Sequence, residues 1–258
     1  MKIISNFLPP KESSAYNPAK SVEVQPGATA HLTMNGMGGE RFGIRKILPF
    51  SPNMHKILIS ARLNEDLYLF RDIQLTVVHH LFKSIDGLFA PFIIQKNNHI
   101  VFELKNTDAV KQIVNIQLIG YDQFALAKLS AAYQKIGASV PVPRFLYGHG
   151  TVPAGGLNID LGVKSKSVDV QVRRMAMSSN QPGAITASMK VYNTTVRDEV
   201  FLEQVNDEFN DKYINVPFVV GSNVPFDVYA SNYGAQPAEV SFLCESYVQA
   251  KTGFSPAE

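Results

Sequence analysis

The chain has 258 residues, 45% hydrophobic and 18% charged, with 15 Pro and 17 Gly, a globular, turn-rich composition that excludes a mainly disordered chain or a helical bundle. Lys and Arg number 24 against 22 Asp and Glu and form no dense run, so the sequence lacks the electrostatic footprint of a protein that wraps nucleic acid. The single Cys244 excludes an internal disulfide. No stretch approaches the ~20 apolar residues of a membrane span. The apolar run within Met1 to Pro10 is too short for a signal peptide, so the sequence reads as that of a protein made and folded in a cytoplasm.

Residues 1–20, with Pro9-Pro10 and Asn17-Pro18, carry no strand pattern and read as an arm. Gln25-Pro26-Gly27 and Asn35-Gly36 supply the φ values that reversals need. The apolar run Leu75 to Phe82 is expected to be a strand, in which His79 and His80 point to opposite faces and cannot share a metal. Val114, Ile116 and Leu118 alternate with Asn115 and Gln117, a half-buried strand. At 122–136 the period changes: Phe124, Ala125, Leu126, Leu129, Ala132, Tyr133 and Ile136 recur at helical spacing, and Gly137 stands at the stop. Val140-Pro141-Val142-Pro143 then forces an extended connector.

Alternation resumes beyond the connector: Leu157, Ile159 and Leu161, then Val168, Val170 and Val172, then Ile185, Ala187, Met189 and Val191. Gln181-Pro182-Gly183 and Asn232-Tyr233-Gly234 punctuate these strands. Cys244 falls inside the strand-like run Val240 to Tyr247, where a small buried thiol fits a core. Many short strands between such turns imply sandwiches or barrels.

An internal repeat organises the whole. Pro91-Phe92-Ile93-Ile94, Asn97, Phe102, Asn106, Val114, Ile116, Leu118 and Tyr121 match Pro217-Phe218-Val219-Val220, Asn223, Val228, Asn232, Val240, Phe242, Cys244 and Tyr247, every pair 126 positions apart without a gap. Upstream, Val24 to Ala28 echoes Thr151 to Gly156 at an expected offset of 127. Each half has room for roughly eight strands, the count of a jelly roll. The expected fold is therefore all-β, two tandem eight-stranded jelly-roll β-sandwiches. Residues 1–20 form the arm, 21–121 the first jelly roll, 122–144 a short helix and extended linker, 145–249 the second jelly roll and 250–258 a tail.

Two jelly rolls so joined resemble the double jelly-roll major capsid proteins of tailless icosahedral viruses, a family that takes in tectiviruses, corticoviruses and the adenovirus hexon. The resemblance covers nearly the whole chain as architecture. It contains no short motif, so no individual functional residue is carried over. It implies a homotrimer, a pseudo-hexagonal capsomer of an icosahedral shell, often above an internal viral membrane, and commonly in a bacteriophage. Partners would be further copies and other capsid proteins, with no sequence-specific nucleic-acid binding, no catalytic residue, no metal and no cofactor. A minor capsid, vertex or spike protein is the nearest alternative.

Other chemistry is thin. Asn206 to Asp211 offers oxygen ligands but lacks the glycine and final glutamate of an EF-hand loop, and Asn64-Glu65-Asp66 reads as a turn. Gly36-Met37-Gly38-Gly39 lacks the strand-to-helix context of a phosphate cradle, no Gly-x-Ser-x-Gly elbow occurs, and Asn193-Thr194-Thr195 matches the glycosylation pattern without a secretory signal. Tyr147, Tyr192, Tyr213, Tyr229 and Tyr233 would serve a carbohydrate-binding module if gathered on one face, and otherwise suit subunit interfaces. A cupin-like enzyme would need converging His and carboxylate ligands, which the sequence does not offer.

Overall fold

The computed structural model describes residues 17–36, 39–64, 67–83, 87–135, 137, 139–162, 168–205 and 218–248. In chain order the first half contains β1 (Ala19–Val24), β2 (Thr29–Asn35), β3 (Phe42–Phe50), β4 (Ile57–Leu63), β5 (Leu67–Gln74), α1 (Leu75–Phe82), β6 (Phe92–Ile94), β7 (His99–Asn106) and β8 (Gln112–Tyr121). Helix α2 (Gln123–Lys135) leads to the second half: β9 (Pro143–Val152), β10 (Ile159–Asp160), β11 (Val170–Ser179), β12 (Ile185–Val191), β13 (Thr194–Phe201), β14 (Phe218–Val220), β15 (Phe226–Asn232) and β16 (Ala238–Val248).

The strands form four four-stranded sheets: β1-β8-β3-β6 and β2-β7-β4-β5 in the first half, β9-β16-β11-β14 and β10-β15-β12-β13 in the second. Adding eight to each strand number of the first half reproduces the second, and every pairing is antiparallel. These are two eight-stranded jelly rolls of one topology. Each has its own core, one built around Phe42, Phe70 and Phe102, the other around Phe226, Phe242 and Met177. Cys244 packs in the second, as expected of a small apolar side chain, and burial pushes its thiol pKa up.

Polar detail repeats as closely as topology. Asn106 and Asn232, both fully buried, close the turn before the last strand of each half. Asn106 donates from Nδ2 to Val24 O (3.0 Å) and Val110 O (2.8 Å) and accepts the Asp108 N–H (2.8 Å). Asn232 donates to Val152 O (3.2 Å) and Gln236 O (2.8 Å) and accepts the Gly234 N–H (2.8 Å). Asp72 and Glu199 both have positive φ in the fifth strand of their half, and each gives its N–H to a serine of the neighbouring strand, Ser60 or Ser188. The third strands bulge alike, at Arg45 and at Arg173.

These pairs correct the upstream register. Val24 matches Val152, Arg45 matches Arg173 and Ser60 matches Ser188, an offset of 128 rather than 127, while the downstream offset of 126 stands. The two positions are absorbed in the fifth strand and the segment after it.

Three local expectations change. Leu75 to Phe82 is a helix: Leu75, Val78 and Leu81, with Val77 and Phe82, are all buried, and an apolar run of this length has no period-two pattern to hold it extended. Leu157 lies outside the strand because Asn158 adopts φ 53 and turns the chain, leaving only Ile159–Asp160 paired and Leu157 exposed. Val168 precedes β11 and is exposed. Helix α2 matches its expected range to within a residue and seats Leu126, Leu129 and Tyr133 against Tyr121.

Candidate functional site

The largest concentration of buried chemistry lies where the two jelly rolls meet. Strand β16 has both faces covered. Val240, Phe242 and Cys244 point into the second core, whereas Leu243 joins the first, with Phe145 and Ala176. Helix α1 fills the gap between β3 of the first half and β11 and β16 of the second. Phe145 meets Phe70 edge to face (5.9 Å, 89°) and lies 6.4 Å from Phe82. One continuous apolar layer thus spans both halves and holds them at a fixed angle.

A polar lock crosses the same surface. Arg174, 3% exposed, and Glu245, 0% exposed, form an ion pair through Nε and Oε2. Arg174 also donates to Gly87 O at 2.6 Å. The Phe89 N–H donates to Glu245 Oε1 at 2.8 Å, and the Tyr247 hydroxyl donates to the same oxygen while accepting the Ala90 N–H at 3.1 Å. Burial, and then the neighbouring Glu245, push the Tyr247 pKa up. The Arg173 guanidinium stacks 3.9 Å over the Phe89 ring. The segment after α1 is therefore clamped onto β11 and β16 with the charges of Arg174 and Glu245 matched, the condition under which a buried ion pair is tolerated.

At the other end of β16, Ser241 accepts the Gln74 N–H (3.0 Å) and lies 2.8 Å from His149 Nδ1, while His149 Nε2 lies 3.2 Å from Glu239 Oε2. Ser, His and Glu in this order have the connectivity of a hydrolytic triad. Ser241 is 0% exposed and its oxygen accepts the Gln74 N–H, so the set joins β5 to β16 as a second clasp. No local motif announces it, since Ser241 and His149 are brought together by the antiparallel register of β9 and β16. Beside it a cavity of about 350 Å³ is lined by His55, Lys56 and Thr107 from the first half and Asn180 and Glu239 from the second. Another of about 200 Å³, lined by Leu67 and Tyr68 with Pro143 and Val168, marks the opposite end of the seam. Matching ends of the two jelly rolls are thus side by side: the sandwiches stand the same way up.

Among solved structures, the chain is similar to the major capsid protein P2 from bacteriophage PM2, with TM-score 0.48, 8% identity and coverage of 92% of this chain and 100% of that one. It is also similar to the STIV MCP, with TM-score 0.46, 8% identity and coverage of 90% and 96%. The atomic structure of Sulfolobus turreted icosahedral virus contains a further similar chain, with TM-score 0.46, 11% identity and coverage of 90% and 91%. No family model and no curated protein matches the sequence.

The residues singled out from sequence do not converge. His79 and His80 sit on α1 rather than a strand, their rings 6.3 Å apart, with His79 Nδ1 3.2 Å from Pro49 O. Tyr147 lies in the junction, apart from Tyr192, exposed at the β12–β13 turn, Tyr229, on β15 with Lys190 Nζ 5.4 Å over its ring, and Tyr233, exposed at the turn after β15. Asn64 is a turn residue with φ 49 whose Oδ1 accepts the His99 N–H, as expected of a turn. Gly36 and Gly39 close a tight connection between β2 and β3, and Asn193 lies in the β12–β13 turn. Asn206 to Asp211, Tyr213, residues 1–16 of the arm and the tail 250–258 lie outside the described residues.

His80 yields a test of α1. Burial, with Lys83 and His79 nearby, lowers its pKa from 6.5 to about 4. Between those values the unfolded chain binds a proton that the folded chain refuses, so stability falls as pH drops through the window. His80→Leu should flatten the pH dependence of the urea midpoint between pH 6.5 and 4 relative to the parent protein. An unchanged slope would place the acid sensitivity elsewhere.

The outer faces of the two equivalent sheets differ in cover. In the second half, Ser178, Ser241 and Glu245 are 5%, 0% and 0% exposed beneath the first half. Their counterparts in the first half are Phe50, Asn115 and Ile119. Phe50 is 61% exposed, Ile113, the counterpart of Glu239, is 57% exposed, and Asn115 and Ile119 are half-buried.

Proposed function

We propose that the chain is the major coat subunit of an icosahedral virus shell, without catalytic residues or cofactor, and that three copies form a pseudo-hexagonal capsomer. The observation that carries this reading is the junction: two jelly rolls of one topology stand side by side, the same way up, clamped by the buried Arg174–Glu245 pair and a shared apolar layer. Such a unit has two distinct ends and a wall between them, which suits a shell with an inside and an outside. The contact within the chain joins two unlike surfaces, α1 and β5 against β9, β11 and β16, and contacts of that kind make closed rings when their rotation closes.

Residues 21–121 and 145–249 would be the two wall units and 122–144 their connection; of the expected arm 1–20, Ala19 and Lys20 belong to β1, and the part before residue 17 would reach a neighbouring subunit or the inner face. The completed subunit would reside in the virion, with other capsid proteins as partners. Light scattering after size exclusion should give a species near three times the 28.5 kDa chain mass, and electron microscopy of concentrated protein should show shells or sheets. Removal of residues 1–16 should leave that species intact and abolish shells. A stable monomer at every concentration would sink the reading.

A further inference from the structure

We infer that the open outer face of the first jelly roll, at Phe50, Ile113 and Asn115, is the docking site for the β13 end of a second copy, at Phe201 and the turn Leu202–Val205. This rests on the proposed coat function and names the contact that would close its capsomer. The contact inside the chain supplies the template. There the end of β5, Gln74, lies on Ser241 and beside Glu239 of β16, followed by a helix that begins at Leu75. Phe201 ends β13 as Gln74 ends β5: Gln74 pairs with Leu58 and Phe201 with Thr186, which are 128 positions apart, and a helical turn again begins at the next residue, Leu202. Leu202 and Val205 are buried in the second core as Leu75 and Val78 are in the first.

Repeating that geometry between copies puts Phe201 over Asn115 and Ile113 of the next chain. The exposed anchors on both sides, Phe201 against Ile113 and Phe50, are apolar where the internal contact is polar. Phe201 is 43% exposed and its N–H is already taken by Gln204 Oε1 at 3.0 Å, so the ring is what it offers. Ile113 and Phe50 supply the complementary patch, and no charged side chain replaces Glu239 or Glu245 there. Burial of a large aromatic in the centre of a contact is the usual anchor of a protein interface.

The experiment measures the mass of the full chain by light scattering across a concentration series for the parent, Ile113→Lys, Phe201→Glu, the double variant, and Phe124→Lys as an exposed control on α2. Circular dichroism reports the fold of each. Each single variant should remain folded and fall to the monomer, with association weakened at least about 30-fold, the scale of losing a central anchor. The double variant should recover the parent mass, because the introduced ammonium and carboxylate then face each other across the contact, and Phe124→Lys should match the parent. A parent trimer whose single variants stay trimeric overturns this docking site and leaves the coat reading standing; a monomeric parent overturns both.

Discussion

Glu245→Gln should cost about 3–5 kcal/mol of unfolding free energy, the penalty for leaving a buried charge without its partner. The amide keeps one oxygen for the Phe89 N–H and the Tyr247 hydroxyl, but turns an N–H towards the Arg174 Nε that the carboxylate now receives. Arg174 is 3% exposed, so water does little to replace the lost carboxylate. Because the pair joins the segment after α1 to β11 and β16, its loss should also split a single denaturation transition into two, as the halves lose their coupling. Far-UV circular dichroism is the suitable probe in a chain without Trp. The double change Arg174→Met with Glu245→Leu should recover part of the loss, since no charge is then stranded, but not all of it. Gly87 O and the Phe89 N–H would remain without partners, each costing about 1–3 kcal/mol when buried. A loss under about 1 kcal/mol for the single variant would mean that the apolar layer alone fixes the junction.

Asn106→Ala and Asn232→Ala should each cost about 2–4 kcal/mol, because each strands backbone groups that a fully buried amide now serves. Nδ2 of each residue bridges two carbonyls from different segments, and Oδ1 takes a third group from the turn. The substitution therefore loosens the turn before the last strand and the end of the first or ninth strand together. The two losses should agree to within about 1 kcal/mol if the halves are energetic as well as geometric repeats. A large loss at one site and a negligible loss at the other would show that one half alone sets the stability of the chain.

Much of this architecture was legible in the residues. The offset of 126 from Phe92 to Tyr121 ran through three strands without a gap, and pairs such as Asn106 and Asn232 proved to hold the same three hydrogen bonds. Helix α2 was readable because it is amphipathic, with one face on Tyr121 and the other in solvent. Helix α1 was not, because it is apolar on nearly every side and its identity is decided by what surrounds it. The junction itself left no trace in local pattern. Ser241, Leu243 and Glu245 alternate with core residues just as Asn115, Gln117 and Ile119 do, and only the packing shows that the first set is covered and the second is open.

That asymmetry has a consequence for how such a chain reaches its assembled state. The face that carries Glu245 and Arg174 meets its cover through a tether within one polypeptide, so the encounter is governed by an effective local concentration and does not depend on dilution. Ionised groups are safe there, since their desolvation is never separated from their neutralisation. The equivalent face of the first half carries Ile119 and Lys46 at those positions, and among the described residues no jelly roll of the same chain lies over its Phe50 and Ile113 end. A patch with one lysine and no buried ion pair suits a surface that must spend time in water before any neighbour arrives. Fusing two copies of one sandwich into a single chain allows costly electrostatics to be confined to the seam that covalent linkage guarantees.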